Sequence, residues 1–162
     1  MMEAVGAMDR ADAHHRGVVL YAAFRHPGRC SEVNQIRGKL PGICPAALTQ
    51  HMVRATCIAD VVDTVQDLRA DVVLVHANCA EDGKVLMEDE YGKVRCRFLK
   101  RRLVGELAKL ARPPQLVFFN GDLEAADHAA ASPLMSLAGM RVPVSYAAQT
   151  MFLLAFLSAL LQ

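Results

Sequence analysis

The chain reads as an α/β protein, a three-layer sandwich whose mostly parallel sheet is covered by helices on both faces. Three observations predict this. Unbroken apolar runs at 17–24 and 72–75, and the stretch 115–119 with four apolar residues after Gln115, are too short for helices and rich in β-branched or aromatic residues, so they read as buried strands. Amphipathic helical stretches separate them, and strands that alternate with helices pair in parallel through crossovers. The runs at 72–75 and 115–119 both end at once in small polar residues. Ligands collect at the carboxyl ends of an open parallel sheet, so any site is expected between those two ends.

Each element has its own signal. The first strand, 17–24, runs into a loop at 25–30 marked by the Pro27-Gly28 turn. Ser31 can cap a helix from Glu32 to about Leu40, with Val33, Ile36 and Leu40 on one face and Pro41-Gly42 as its end. Residues 46–53 fit either strand or helix; the strand is favoured because another helix follows so soon. That helix starts after Thr56 as N-cap and carries Ile58, Val61, Val62, Val65 and Leu68 at 3.6 spacing. The strand 72–75 follows after almost no loop. Beyond Gly83, residues 85–87 and 94–98 flank Glu88–Gly92 as a β-hairpin, with Val94, Cys96 and Phe98 facing in and Arg95 and Arg97 out. Leu99–Ala111 is a helix with Leu99, Leu103, Leu107 and Leu110 on one face, stopped by Pro113-Pro114. The alanine-rich stretch Leu123–Ala138 reads as helical, with a break at Pro133 and Gly139 at its end. Arg141–Ser145 is expected as a short last strand and Ala148–Leu161 as a final helix.

Composition bounds the function. A chain of 162 residues, 53% hydrophobic and 6% aromatic, suits one domain with an aliphatic core. The domain is placed at 17–162. Residues 1–16 are a flexible lead-in without the apolar core of a secretory signal, and His14-His15 reads as a surface pair rather than metal ligands. A formal net charge of +1 gives no whole-chain argument for nucleic acid. The five cysteines (30, 44, 57, 79 and 96) contain no CxxC pair, which points to a reduced, cytoplasmic setting without a disulfide framework or structural zinc. No metal or cofactor is expected.

The candidate pocket comprises His76 and Cys79 after one strand and Asn120 and Asp122 after the other. His76 reads as a hydrogen-bonded boundary histidine rather than a catalyst, and Cys79 as a small buried thiol. Asn120-Gly121-Asp122, with Asp127 and His128 beyond, could hold a cation only with further ligands on other strands, which the sequence does not offer. Asp122 therefore reads as a helix cap, accepting from the N–H of residue 124 or 125. The one strong charge feature is the run from Lys93 to Arg112. Within it Arg95, Arg97, Lys100, Arg101 and Arg102 form a candidate patch for an acidic partner. The competing reading pairs them with the chain's own Glu81-Asp82 and Glu88–Glu90.

From Ile58 onward the order of pieces resembles the CHAT domain, a branch of the caspase-like cysteine peptidase clan. Residues 73–80 (VLVHANCA) stand where that family has a histidine-rich HxxxHG turn, residues 85–92 (VLMEDEYG) match its hairpin, and 116–122 (LVFFNGD) fall where it reads vvLnaC. The resemblance covers about two-thirds of the chain and implies a caspase-like sheet. It also implies a second histidine as general base and a cysteine after Asn-x as nucleophile. With His76 as the first histidine and Asn120 as the asparagine, those positions hold Ala80 and Asp122, with Gly121 as the one-residue alternative, and none of the three can do the missing work; a different shift makes His76 itself the base, still with no thiol near 120. The expectation is a non-catalytic, caspase-like interaction module. The alternative is a small α/β enzyme, or a nucleotide- or phosphate-binding protein, with its site near residues 76–83 and 120–122. The lack of a GxGxxG or GxxxxGK[ST] loop counts against it.

The last helix is apolar on every side. Its uninterrupted run, about a dozen residues, is short of the ~20 needed to span a membrane, so no membrane association is expected. Phe152, Leu153, Phe156 and Leu160 are assigned to the core and Met151, Leu154, Leu157 and Leu161 to the outside. On this assignment the outer face is offered to a protein partner, most simply a second copy in a homodimer.

Overall fold

The computed structural model describes residues 17–25, 31–43, 49–140 and 146–160. The strands are β1 (Val18–Ala23), β2 (Thr49–Arg54), β3 (Val72–His76), β4 (Asn78–Cys79), β5 (Val85–Glu88), β6 (Val94–Phe98), β7 (Leu116–Phe119) and β8 (Ser136–Gly139). The helices are α1 (Ser31–Ile43), α2 (Ile58–Leu68), α3 (Lys100–Ala108), α4 (Ala125–Ala129) and α5 (Tyr146–Leu160). Five strands form one parallel sheet in the order β2-β1-β3-β7-β8, and β4-β5-β6 form a small antiparallel sheet inserted after β3. The first strand after β1 lies on one side of it and the next on the other. The order therefore reverses at β1 and β3, the place where an open sheet leaves a crevice beyond its strand ends.

Strand alternation divides the core in two. Val73 and Val75 of β3 join Val61 and Val65 of α2 and Leu103, Val104 and Leu107 of α3 on one face. Val72 and Leu74 join Val33, Ile36 and Leu40 of α1 and Leu153, Leu154 and Leu157 of α5 on the other. This is the expected three-layer arrangement, with β3 buried throughout. At the amino end of the sheet the buried carboxylate of Asp71 accepts from Val18 N (2.9 Å) and from Arg112 Nη2 (3.0 Å). The Asp71 carbonyl accepts from Gln115 N (2.8 Å), so one residue ties the starts of β1, β3 and β7 together.

Several local expectations change. Pro41-Gly42 does not end α1, which runs to Ile43. A proline at 41 leaves the carbonyl of Arg37, four residues back, without its helical donor. Gln50 Nε2, from β2, donates to that carbonyl at 3.3 Å, while Gln50 Oε1 accepts from Tyr21 Oη at 2.7 Å. A strand side chain thus replaces the missing helix bond, which lets the helix continue.

The stretch 123–138 is not one helix. Only Ala125–Ala129 is helical, and Ser136–Gly139 is the parallel edge strand β8 beside β7. Gly139 is required there by close approach rather than by a helix end. A Cβ at 139 would lie 2.5 Å from the Gly121 carbonyl oxygen and 2.8 Å from Leu123 Cγ.

The cap of α2 is Cys57, not Thr56, and Asp60 reaches back to accept from Thr56 N, Thr56 Oγ1 and Cys57 N. In β6 only Phe98 is buried; Val94 and Cys96 are exposed with the arginines, because β6 is an outer strand with little behind it. The helix expected over 99–111 is regular over 100–108. On α5 the burial is rotated from expectation: Leu154 and Leu157 are buried with Leu153, while Phe152 is 49% and Met151 65% exposed. The expected lead-in at 1–16, the turn at 26–30, residues 46–48 and the strand at 141–145 lie outside the described residues.

Candidate functional site

Three strand ends meet at the carboxyl edge of the large sheet. Register sets Ala23 of β1 between Arg54 of β2 and His76 of β3, and Asn120 follows β7 directly beside β3. The ends of β3 and β7 are joined directly: Asn120 Oδ1 accepts from Ala77 N at 3.1 Å. Asn120 is therefore held as a clamp between the two strands, its carbonyl oxygen already engaged.

His76 is buried, and its Nε2 lies 3.2 Å from Arg25 Nη1. A guanidinium only donates, so Nε2 is the acceptor and the ring keeps its proton on Nδ1. The boundary-histidine reading fits this geometry. The ring lines a cavity of about 20 Å³ beneath α1 and α5, with Tyr21, Leu74, Phe118, Asn120 and Thr150. Such a volume holds one water molecule and no metabolite. The Thr150 hydroxyl is buried there without a hydrogen-bond partner among the described residues, as is Arg54 Nε at the neighbouring strand end.

Cys79 sits elsewhere. It lies on the short outer strand β4, exposed rather than buried as expected, since β4 has no further strand beside it. Its Sγ stands 3.4 Å and Lys100 Cε 3.9 Å from the point a Cβ on Gly121 would occupy. Cys79 thus faces the α3 side of the sheet edge and His76 the α1 and α5 side, so the two do not form a nucleophile–base pair. Although the residue is exposed, partial desolvation of its sulfur beside Gly121 pushes the Cys79 thiol above its ordinary value, and the Lys100 ammonium opposes this only in part. A thiol so placed stays protonated at neutral pH.

Asp122 is exposed, and among the described residues Oδ1 accepts only from the adjacent Leu123 N (3.0 Å). The helix cap expected of Asp122 belongs instead to Glu124, where Asp127 Oδ2 accepts from Glu124 N at 2.9 Å. Asp127 is buried in that cap, and no group of three or more metal-ligating side chains occurs among the described residues.

The basic run divides. Lys100 is buried and donates from Nζ to the Gly83 carbonyl at 3.0 Å, so it fastens α3 to the turn between β4 and β5 and is not available on the surface. Arg95 pairs with Asp89 at 2.6 Å across the hairpin, and Lys84 pairs with Asp82 at 2.6 Å. Arg97, Arg101 and Arg102 are exposed and form no ion pair among the described residues.

Sequence reasoning missed Arg25, Arg54 and Glu88. Glu88 is buried, accepts from Asn78 Nδ2 at 2.8 Å, and donates its own N–H to the Phe24 carbonyl at 2.9 Å. Phe98 packs on Phe24 with ring centroids 5.1 Å apart. Together these seat the small sheet on the end of β1. An arginine just past the apolar strand β1 was the available signal for Arg25; Arg54, which ends the mixed strand β2, and Glu88, within an acidic run, had none. No model of a known protein family matches this chain, and a search of curated proteins returns no match.

Proposed function

We propose that the chain is a non-catalytic, caspase-like protein-interaction module of the CHAT type. One observation carries the reading: residues 120–122, where the caspase-like pattern needs a nucleophilic thiol, are Asn-Gly-Asp, and the nearby thiol, Cys79, faces away from His76. The strand order β2-β1-β3-β7-β8, with a three-stranded antiparallel insertion between β3 and α3, supports the resemblance. The small cavity at the strand ends favours this reading over the nucleotide- or phosphate-binding alternative. Cysteines 57, 79 and 96, free and exposed, suit a reducing, cytoplasmic setting.

Self-association through α5 belongs to the same reading. No helix among the described residues is long and apolar enough to cross a membrane. Yet the outward residues Ala148, Met151, Phe152, Ala155 and Ala159 are all uncharged and mostly apolar. In an antiparallel pair centred on Ala155, Met151 of one copy meets Ala159 of the other, large against small.

The test is incubation of the intact chain with a mixed peptide library and a thiol-reactive probe at pH 7. No cleavage is expected, and Cys79 should alkylate more slowly than free cysteine. Cleavage that disappears in Cys79→Ser or His76→Ala would overturn the proposal.

A further inference from the structure

We infer that the outer edge of β6 is a docking edge for an extended acidic segment of a partner protein, an inference that deepens the interaction-module reading and rests on it. Among the described residues β6 is the terminal strand of the small sheet, paired with β5 alone, and its residues Val94–Arg97 are exposed. Ladder parity fixes which backbone groups are open. Ala80 N donates to the Lys84 carbonyl (2.8 Å), next to the pairs Cys79–Val85 and Asn78–Leu86. Bonded and non-bonded pairs alternate along antiparallel strands, so Leu86 turns its N–H and C=O to β4. Val85 and Met87 then turn theirs to Phe98 and Cys96 of β6. Arg97, between those two partners, points its own N–H and C=O away from the sheet. Addition of a strand needs such a donor and acceptor on an accessible edge.

Charge selects the occupant. Three guanidiniums that form no ion pair among the described residues, Arg97, Arg101 and Arg102, stand together on this edge and in the first turn of α3 just beyond it. Arg97 acts on Asp82 only as a weak, longer-range charge. Cations in the first turn of a helix oppose its dipole, and carboxylates brought alongside relieve that opposition. A second β6 pairing antiparallel would set arginines against arginines, so the edge rejects its own copy and accepts an acidic strand. Single-stranded nucleic acid could meet the arginines but would leave the Arg97 N–H and C=O without a ladder partner. An acidic peptide uses both features.

The test measures fluorescence anisotropy of a labelled peptide of alternating Glu and Val on the intact chain. Saturable binding is expected, weakened about tenfold by Arg97→Glu and several-fold by Arg101→Ala with Arg102→Ala. N-methylation of alternate peptide amides, which leaves every charge in place, should weaken binding by about tenfold as well. Thermal melts of each variant show that the fold is retained. Three results would overturn the inference: equal binding of the N-methylated peptide, equal or tighter binding of oligothymidylate or of phosphatidylserine–phosphatidylcholine vesicles, or no saturable binding below about 1 mM. Failure here, with peptide hydrolysis still absent, removes the docking edge while leaving the non-catalytic reading in place.

Discussion

Replacing Asp71 with alanine should be the most damaging polar change at the amino end of the sheet. The carboxylate is 8% exposed and accepts from Val18 N and Arg112 Nη2 among the described residues, while Arg112 itself is 47% exposed. A hydrogen bond to a charged acceptor contributes about 1.5–3 kcal/mol, and its loss here also leaves the part-buried Val18 N–H unpaired. The half-exposed Arg112 pair adds no more than about 1 kcal/mol. Asp71→Ala should therefore destabilise by about 2–4 kcal/mol, roughly 5–12 °C in Tm for a domain of this size. Arg112→Ala should lose no more than about 1 kcal/mol, and Asp71→Asn, which keeps an acceptor for Val18, should fall between. Urea denaturation of the three variants, with midpoints compared at constant slope, gives the order directly. If Asp71→Ala and Arg112→Ala lose the same small amount, the bond to Val18 contributes nothing and the account of this junction is wrong.

Gly139→Ala should destabilise by about 2–3 kcal/mol despite the small change, because the new methyl would meet a backbone carbonyl at 2.5 Å; a variant as stable as the parent would show that β8 shifts freely. The Asp60 carboxyl is subject to an upward push from partial burial, but hydrogen bonds from Thr56 and Cys57 outweigh it and hold the group below its ordinary 3.8. A depressed folded-state pKa means that the α2 cap contributes fully above pH 3.8 and is lost as the pH falls below that value through the folded pKa. In acid titrations followed by circular dichroism, Asp60→Asn should remove that part of the stability loss, and identical acid limbs for parent and variant would argue against the cap.

The layers were legible because periodicity is a strong signal. β3 reads as a buried strand from four consecutive apolar residues, and α2 as a helix from its regular stripe. The segment 123–138 failed for a definable reason: alanine favours helix wherever packing does not decide, and four exposed or half-buried residues of an edge strand carry little pattern of their own. On α5 an all-apolar sequence has no preferred face, so Leu154 and Leu157 could be placed only by what packs against them. The strand-end rule placed His76 and Asn120 at neighbouring strand ends, where they stand. It could not tell that His76 and Cys79 diverge to opposite sides of the sheet edge, nor that Lys100 turns inward, since both depend on contacts distant in sequence.

The proline in α1 has a consequence for how the molecule opens and closes. The carbonyl left vacant at Arg37 is filled by Gln50, so the last turn of α1 and the outer strand β2 complete each other. Neither can reach its native hydrogen bonding alone, although one is a local structure and the other depends on pairing with β1. Helix and strand should therefore behave as one cooperative unit, with amides in both exchanging with solvent through a shared opening.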